Sequence, residues 1–328
     1  MTGDRGAEGG VAGGPPTGPG GTDHERPTPA ARARAAARAV AEQAGIGVRP
    51  LHDATDAANA IALFDGIWRA AAADRPISTE LLVALAHSGN YVAGAFAGDE
   101  LVGAAAGFLA APPGRVLHSH IAGVSARARG RHVGLALKLD QRAWALEAGL
   151  TEITWTFDPL VRRNAAFNLR RLRARAVTYL PDFYGQMRDS VNAGDVSDRL
   201  LISWPLAAEE VAMACEGTAE GPSIPAAVPR LEVAPNGGPA TTRATTRSEV
   251  VATATPADIE AMRRERPDVA RAWRLALRET LGELMAGGAR VVGLTPEGAY
   301  VVATGDAQAD PGLRPSPRPR PGPVGEGG

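Results

Sequence analysis

The chain has 328 residues, with 35 Lys or Arg and 36 Asp or Glu, so its formal net charge is −1. This balance excludes a general attraction to nucleic acid or to an anionic membrane, and a charged ligand must meet a local patch. The single cysteine, Cys215, excludes a disulfide within the chain and fits a reducing compartment. There is no apolar run of about 18 residues and no N-terminal segment like a signal peptide. We therefore expect a cytoplasmic protein.

Two terminal segments and one internal segment lack a hydrophobic pattern. Residues 1–28 and 305–328 are rich in Gly, Pro and charged residues, so they cannot offset the entropy of ordering and are predicted to be disordered. Residues 207–249 are rich in Ala, Gly, Pro and Thr and are predicted to form a linker. Residues 29–45 instead predict a helix that packs its alanines on the domain. Contact of its arginines with nucleic acid is the alternative.

Residues 46–206 alternate the patterns of strands and helices. In chain order, the predicted elements are a strand over 47–51, helices over 53–72 and 78–87, a hairpin over 91–111, a strand over 116–124, a helix over 135–148, a strand over 153–157, a helix over 158–173, and strands over 176–180 and 199–204. Residues 250–304 add a core-facing helix and a terminal hairpin. The alternation predicts an α/β fold with a C-terminal extension.

The turn between the strand over 116–124 and the next helix carries the clearest chemical signal. A helix N-terminus presents unpaired N–H groups with partial positive charge. Small residues there let a phosphate approach the backbone, and Arg129 and Arg131 add guanidinium groups that suit phosphate geometry. These features indicate an anion site for a diphosphate. An ordinary turn with solvated arginines is the alternative, and the absence of Gly-Lys-Ser/Thr argues against a P-loop NTPase.

The order of elements, with Arg129 and Gly134 at the ends of this turn, resembles the GNAT superfamily of acyl-CoA-dependent N-acyltransferases. The family motif is Arg/Gln-x-x-Gly-x-Gly/Ala, between the fourth strand and the third helix, and here His132 replaces its middle glycine. Five sequence segments look like those of a little-characterised bacterial branch of the family. They are LHSHIAGV, LALKLDQR, ITWTFDPLVRRNAAFNLRRL, YLPDFYG and SDRLLISWPL. Some members of that branch are associated with N-succinylation of amino acids. The resemblance covers residues 46–206.

The resemblance implies a GNAT fold, in which a mixed central sheet of about seven strands is flanked by helices. Residues 250–304 would form a helix-and-hairpin extension packed on this fold. The resemblance also implies that acetyl-CoA or another acyl-CoA is the co-substrate, and no metal is expected. The residues implied to hold the CoA diphosphate are Arg129, Gly130, Arg131, His132, Val133 and Gly134.

The rest of the CoA contacts also follow from the resemblance. The splayed end of the strand over 116–124 would pair with pantetheine, and the Val124 N–H would point at the thioester carbonyl. Asn164 and Asn168 share one helix face and resemble an asparagine that binds CoA in this family. A solvated polar face is the alternative for both.

The candidate general base lies on the same strand. Members of the family often use a carboxylate there or an ordered water, whereas this strand carries His118 and His120, two residues apart and so on one face. A histidine can accept the proton of an amine near neutral pH. We assign catalysis to His120, which is nearer the splay, and substrate binding to His118. A structural role for both is the alternative.

Residues from later in the chain complete the predicted site. The helix tyrosine that serves many family members as the acid is absent, so Tyr184 is the nearest candidate for the acid, or else for a substrate contact. Asp198 and Arg199 either contact an amino-acid substrate or form an ion pair. Six arginines between residues 162 and 175 either attract the CoA 3′-phosphate or an acidic acyl group, or form a solvated helix face.

Three functions compete. We favour an N-acyltransferase that moves an acetyl or succinyl group directly to a small primary amine or amino acid. The second is a degenerate GNAT fold that binds acyl-CoA as a regulatory module, which His132 and the missing helix tyrosine support. The third is nucleic-acid binding through arginine-rich helices, which the balanced charge and the absence of interleaved aromatic residues disfavour. We expect no nucleic-acid or membrane partner, and the sequence leaves open whether the chain forms a homodimer.

Overall fold

A computed structural model gives the conformation of the chain and describes residues 27–69, 74–111, 113–187, 195–242 and 249–304. Of the residues predicted to be disordered, 1–28 and 305–328, only residues 27 and 28 lie within these ranges, and Thr28 caps the first helix. Within them, no helix is long and apolar enough to cross a lipid bilayer.

The helices follow the predicted order. They are α1 (Pro29–Gln43), α2 (Ala54–Trp68), α3 (Thr79–His87), α4 (Val133–Glu147), α5 (Arg162–Ala165), α6 (Glu209–Glu216), α7 (Ile259–Glu265), α8 (Pro267–Leu277) and α9 (Glu283–Ala286). A 3-10 turn (Ala126–Ala128) precedes α4, and π-helical turns follow α5 (Ala166–Arg171) and α8 (Arg278–Gly282). Side-chain caps begin the first three helices, because Thr28, Asp53 and Ser78 each accept a hydrogen bond from the N–H three residues later.

Seven strands form a mixed central sheet in the order β1-β2-β3-β4-β5-β7-β6. They are β1 (Gly47–Pro50), β2 (Val92–Ala97), β3 (Glu100–Ala110), β4 (Val116–Val124), β5 (Glu152–Phe157), β6 (Arg175–Leu180) and β7 (Arg199–Pro205). The β4–β5 pair is parallel and the other pairs in this sheet are antiparallel. The predicted fold class, an α/β fold with a mixed sheet of seven strands flanked by helices, is confirmed.

The central sheet separates two parts of the hydrophobic core. On one face, α4 buries Leu135, Leu137 and Leu139, and α1 packs on α4 through its alanines as predicted. On the other face, α2 and α3 bury residues such as Phe64 and Leu82. The sheet therefore has a face covered by α4 and a face covered by α2 and α3, which we call the α4 face and the α2 face.

The segment predicted to be a linker, 207–249, contains regular structure. It holds α6, β8 (Val228–Val233) and β9 (Pro239–Thr241), and these strands join a second sheet in the order β11-β12-β10-β8-β9. The remaining strands of that sheet are β10 (Val250–Thr253), β11 (Arg290–Leu294) and β12 (Tyr300–Ala303). The hydrophobic pattern missed β8 and β9 because β8 buries only Leu231 and β9 is three residues long. Where a helix and a hairpin were predicted, the C-terminal part of the chain thus forms a five-stranded sheet together with α7, α8 and α9.

The helix predicted to begin at Asp158 begins at Arg162 instead. One oxygen of Asp158 accepts a hydrogen bond from the Leu160 N–H at 2.9 Å, which closes a tight turn. The carboxylate also accepts hydrogen bonds from the guanidinium groups of Arg274, at 2.8 and 2.9 Å, and of Arg263, at 2.5 Å. These two arginines come from α7 and α8, so Asp158 joins the C-terminal extension to the end of β5 rather than capping a helix.

Candidate functional site

An opening separates β4 from β5. The two strands pair only at Val116↔Glu152, Leu117↔Ile153 and His118↔Thr154, although β4 continues to Val124 and β5 to Phe157. Beyond these pairs, β4 remains bonded to β3 and β5 to β7 on their outer edges. The inner backbone edges therefore face each other across a V-shaped gap, which we call the β4–β5 opening. An extended ligand with amide groups could hydrogen-bond to these edges.

A β-bulge lies in β4 where the opening starts. In the β3–β4 ladder, Ala106 pairs with Ile121 and Gly107 with Ser119, so His120 is the extra residue. Because of this extra residue, the alternation of β4 side chains between the two faces of the sheet shifts by one position. Ser119 points to the α4 face, where it meets Lys138, whereas Ile121 packs in the core under α2.

The turn before α4 contains two residues with a positive φ. Gly130 has a φ of 77° and His132 a φ of 63°, which is the left-handed region that favours glycine. A non-glycine residue such as His132 costs about 1–2 kcal/mol in this conformation. His132 accepts the first helical hydrogen bond, from Ala136 at 2.9 Å.

Three backbone donors and two arginines surround this turn. The N–H groups of Val133, Gly134 and the next residue precede the first helical bond, so they have no acceptor inside α4. Arg129 and Arg131 are exposed and form no ion pair within the described ranges. Positive charge and free N–H groups thus converge on one end of α4.

The same end of α4 adjoins the open end of β4. A Cβ atom on Gly134 would lie 3.6 Å from Val124 Cγ2, which places the turn at the mouth of the opening. The N–H of the residue after Val124 donates to Val102 O on β3 at 2.9 Å. Because successive N–H groups along a strand point to opposite edges, the Val124 N–H points into the opening.

His118 and His120 lie on the α2 face at the closed end of the opening. His118 Nδ1 is 3.2 Å from Thr154 Oγ1, and the two imidazole rings are 6.4 Å apart. Burial lowers the pKa of His118 to about 4, so it is neutral at pH 7. His120 Nε2–H donates to the Pro76 carbonyl at 3.2 Å. Since a carbonyl can only accept, this bond leaves His120 Nδ1 as the nitrogen that can accept a proton.

Tyr184 reaches the same face from the loop after β6. Its hydroxyl oxygen lies 3.2 Å from Thr156 Oγ1 on β5, and Thr156 shares a face with Thr154, the contact of His118. The Arg199 guanidinium lies 5.6 Å from the centre of the Tyr184 ring. The structure therefore brings Tyr184 and Arg199 to the face of the sheet that carries both histidines.

Asp198, the other predicted substrate contact, is fully buried and hydrogen-bonded. Its carboxylate accepts hydrogen bonds from Tyr179 Oη at 2.7 Å, the Asp182 N–H at 3.0 Å and the Arg278 guanidinium at 2.5 Å. These donors hold the pKa of Asp198 below its usual range against the opposing effect of burial. An amine could reach Asp198 only by displacing one of these partners.

Asn164 and Asn168 both lie on the helical segment after β5, Asn168 in the π-helical turn and buried, Asn164 half-buried. The arginines around them mostly bind the C-terminal part of the chain. Arg163 pairs with Glu260 and Arg175 with Glu210 at 2.7 Å, while Arg171 donates to the Ala214 carbonyl. These contacts give most of the arginine cluster a structural role.

One polar cluster was missed by the sequence analysis. Lys138 on α4 is buried on the α4 face, and its ammonium donates to Ser119 Oγ at 2.9 Å and to Gln141 Oε1 at 3.2 Å. Nζ also lies 4.0 Å from the centre of the Trp155 ring. Burial lowers the pKa of Lys138 to about 7. The signal was present in the composition, because Lys138 is the only lysine in the chain.

Comparison with known proteins gives structural similarity only. No protein-family model matches the chain, and no curated protein matches it. The ribosomal-protein-S18-alanine N-acetyltransferase from Escherichia coli is 13% identical, and the alignment covers 49% of this chain and 94% of that one, with a TM-score of 0.39. An N-acetyltransferase from Staphylococcus aureus Mu50 is 14% identical over 49% and 98% of the two chains, with a TM-score of 0.41.

A third similar structure is Arabidopsis thaliana Naa50 in complex with the bisubstrate analogue CoA-Ac-MVNAL. It is 16% identical over 48% of this chain and 97% of that one, with a TM-score of 0.40. At identities this low, an activity must be argued from the residues of this chain.

Proposed function

We propose that the chain is an acyl-CoA-dependent N-acyltransferase of the GNAT type that transfers an acetyl or succinyl group directly to a small primary amine or amino acid. One observation carries the proposal. The β4–β5 opening connects the free N–H groups at the start of α4 with the face that bears His118, His120 and Tyr184. A single extended thioester could therefore place its diphosphate at one end and its acyl group at the other.

The α4 end of the opening suits the diphosphate. The N–H groups of Val133 and Gly134 would donate to phosphate oxygens, and Arg129 and Arg131 would neutralise their charge. Pantetheine amides would hydrogen-bond to the unpaired inner edges of β4 and β5. The Val124 N–H lies at the mouth of the opening, so it would donate to an oxygen of the pantetheine arm rather than to the thioester carbonyl, which would lie at the closed end.

The α2 face suits proton transfer. The attacking amine must lose a proton, and His120 Nδ1 can accept it because Nε2–H is held by the Pro76 carbonyl. Tyr184 Oη would donate a proton to the departing thiolate. His118, neutral at pH 7, and Arg199 would contact the acceptor. Direct transfer needs no covalent enzyme intermediate, and we assign none.

A non-catalytic acyl-CoA-binding module remains the second candidate. The observation that favours it is the helical segment after β5, which carries no tyrosine, so that proton donation to the thiolate depends on the exposed Tyr184 of a loop. This candidate shares the CoA site with the first and differs only in turnover.

Replacing His120 by alanine tests the catalytic assignment. We expect kcat/KM for amine acylation to fall at least about 100-fold, because a positioned general base contributes about that much or more. The affinity for acyl-CoA should not change, since His120 lies on the opposite face of the sheet from α4. The measurement is thiol release from acetyl-CoA and succinyl-CoA across a panel of amino acids and small amines.

The matched control is His87→Ala, which removes an exposed histidine at the end of α3. It should leave turnover unchanged. Unaltered turnover in the His120→Ala variant would remove His120 from the mechanism, and acyl-CoA binding without thiol release by the native chain would favour the non-catalytic module.

A further inference from the structure

Lys138 stands out by composition and by position. The chain has 35 lysine and arginine residues, and Lys138 is the only lysine among them. It lies in the middle of α4, where most of the neighbouring buried residues are leucines and alanines, and its side chain is buried against the central sheet. Burying an ammonium group is costly, and an arginine cannot release the cost by losing its proton.

The surroundings of the amine favour its neutral form. Its contacts are the Ser119 hydroxyl, the Gln141 amide oxygen and the Trp155 ring, and no carboxylate contacts it within the described ranges. Burial alone lowers its pKa to about 7. A large share of the folded chains therefore carries a neutral, nucleophilic amine at neutral pH.

The amine lies at the closed end of the β4–β5 opening. Ser119 and Trp155 are the first residues of β4 and β5 beyond the last paired residues, His118 and Thr154, and Lys138 contacts both of them. From Val124 at the mouth to Ser119 at the closed end, β4 runs for five residues, about 16 Å. An extended arm of about that length, entering from the start of α4, would bring its leading end to Lys138.

A second observation points to a ligand carbonyl at this place. The Gln141 side chain is almost fully buried, and its Nε2 has no hydrogen-bond partner within the described ranges. Its Oε1 already accepts from Lys138. A buried amide donor without an acceptor costs about 1–3 kcal/mol, which an acceptor oxygen bound next to Lys138 would recover.

We propose that Lys138 is a self-acylation site, at which the chain transfers the acyl group of its own bound acyl-CoA to the Lys138 ε-amine. The inference rests on the proposed function, because it needs acyl-CoA in the opening. The neutral amine attacks the thioester carbonyl, a C–N bond forms and the C–S bond breaks. The proton lost by the amine goes to the departing thiolate, so the products are Nε-acyl-Lys138 and free CoA.

The product differs from that of the proposed enzyme reaction in staying attached to the chain. An amide does not return its acyl group to CoA, so each chain undergoes the step once. The new carbonyl oxygen would accept a hydrogen bond from Gln141 Nε2. The added group would also fill the closed end of the opening, so the modified chain should bind acyl-CoA more weakly.

The test uses the full chain incubated with acetyl-CoA at neutral pH. Intact-mass measurement counts the acetyl groups added, and peptide mapping by tandem mass spectrometry locates them. Because the chain has one lysine, the α-amine of the N-terminus is the only other primary amine of the polypeptide, and mapping separates the two. Binding of acetyl-CoA is measured on the same sample by calorimetry.

Two variants and one condition serve as controls. Lys138→Arg keeps a cation without a nucleophilic amine, and Lys138→Met keeps the length of the side chain without a charge. The native chain unfolded in urea exposes Lys138 to solvent, where the amine is protonated. We expect acetylation of Lys138 in the folded native chain at least about tenfold faster than in the unfolded chain, a ratio that corresponds to about 1.4 kcal/mol.

Three results would overturn the proposal. Binding of acetyl-CoA without a Lys138 adduct would remove self-acylation and leave the proposed function standing. An adduct that forms equally fast in the unfolded chain would show ordinary chemical acylation. Absence of acetyl-CoA binding would overturn both the proposed function and this inference.

Discussion

Replacing Arg274 by methionine should lower the free energy of unfolding by about 3–5 kcal/mol, because it leaves buried carboxylates without compensation. Arg274 is almost fully buried and binds Asp158 at 2.8 Å and Asp195 at 3.1 Å. Arg263 makes the second pair of contacts, at 2.5 and 3.2 Å, so two cations balance two carboxylates in this cluster. Removing one cation leaves a net negative charge at the end of β5. Urea unfolding followed by circular dichroism measures the effect.

The loss should depend on pH in a defined direction. In the native chain the arginines hold the pKa of Asp158 well below its usual range, so this contribution to stability is present above about pH 4 and is lost as pH falls further. In the variant, burial without Arg274 raises the pKa of Asp158, and the carboxyl can become neutral by taking up a proton. The difference in the free energy of unfolding between the native chain and the variant should therefore become smaller below about pH 4.

The matched control is Arg271→Met, which changes an exposed arginine on the same helix. It should alter the stability by less than about 0.5 kcal/mol. Equal effects of the two substitutions would contradict a role for the Asp158 cluster in holding the C-terminal extension to the central sheet.

Replacing Lys138 by methionine should raise the free energy of unfolding at pH 7. Burial lowers the pKa of Lys138 from 10.5 to about 7, which corresponds to at most about 5 kcal/mol of destabilisation. Methionine has a similar length and no charge. The variant leaves the Ser119 hydroxyl and the Gln141 amide oxygen unpaired, at about 1–3 kcal/mol each, so we expect a net gain of about 1–3 kcal/mol.

The pH dependence gives a second readout of the same charge. Between about pH 7 and pH 10.5 the unfolded chain binds more protons at Lys138 than the folded chain, so the native stability should rise with pH through this window. The variant should lack this contribution, so its greater free energy of unfolding relative to the native chain should disappear above about pH 10.5. A native chain at least as stable as the variant at pH 7 would mean that the amine is well solvated. Such a result would also weaken the case for Lys138 as a nucleophile.

The sequence predicts the local structure around the candidate site. The turn at Arg129 to Gly134 follows from a strand, small residues and a helix in close succession, and its His132 has a φ of 63°, which favours glycine. The shared face of His118 and His120 follows from the two-residue period of a strand. Side-chain caps at Asp53 and Ser78 are likewise local.

The parts that depend on pairing between distant segments could not be predicted. The bulge at His120 is a property of the β3–β4 register, and the length of the opening is a property of the β4–β5 register. The second sheet was missed because β8 is mostly exposed and pairs in parallel with β10, which comes later in the chain. Asp158 resembled a helix cap because the arginines that bind it lie more than 100 residues away.

Lys138 was missed for a different reason, which lies in the residues next to it in the sequence and not in the pairing of distant segments. Leu135, Leu137 and Leu139 give α4 its apolar character, and a lysine among them looks like a solvated position. The composition indicates that this position is unusual, because all other members of the 35 lysine and arginine residues are arginine. Only the structure places that amine between Ser119 and Trp155.

Calorimetric titration of the full chain with CoA, compared with its Gly134→Glu variant, tests the CoA site most directly. Glutamate in the first turn of α4, which has no acidic residue, should leave the stability unchanged or raise it by about 0.3–1 kcal/mol. The same carboxylate beside the diphosphate should weaken CoA binding at least about 100-fold through like-charge repulsion. Gly66→Glu, at an exposed position on α2 with open space around it, is the matched control and should bind as the native chain does. Binding by the native chain that Gly134→Glu abolishes is the predicted result. No binding by the native chain, or equal binding by the Gly134→Glu variant, would contradict a CoA site at the start of α4.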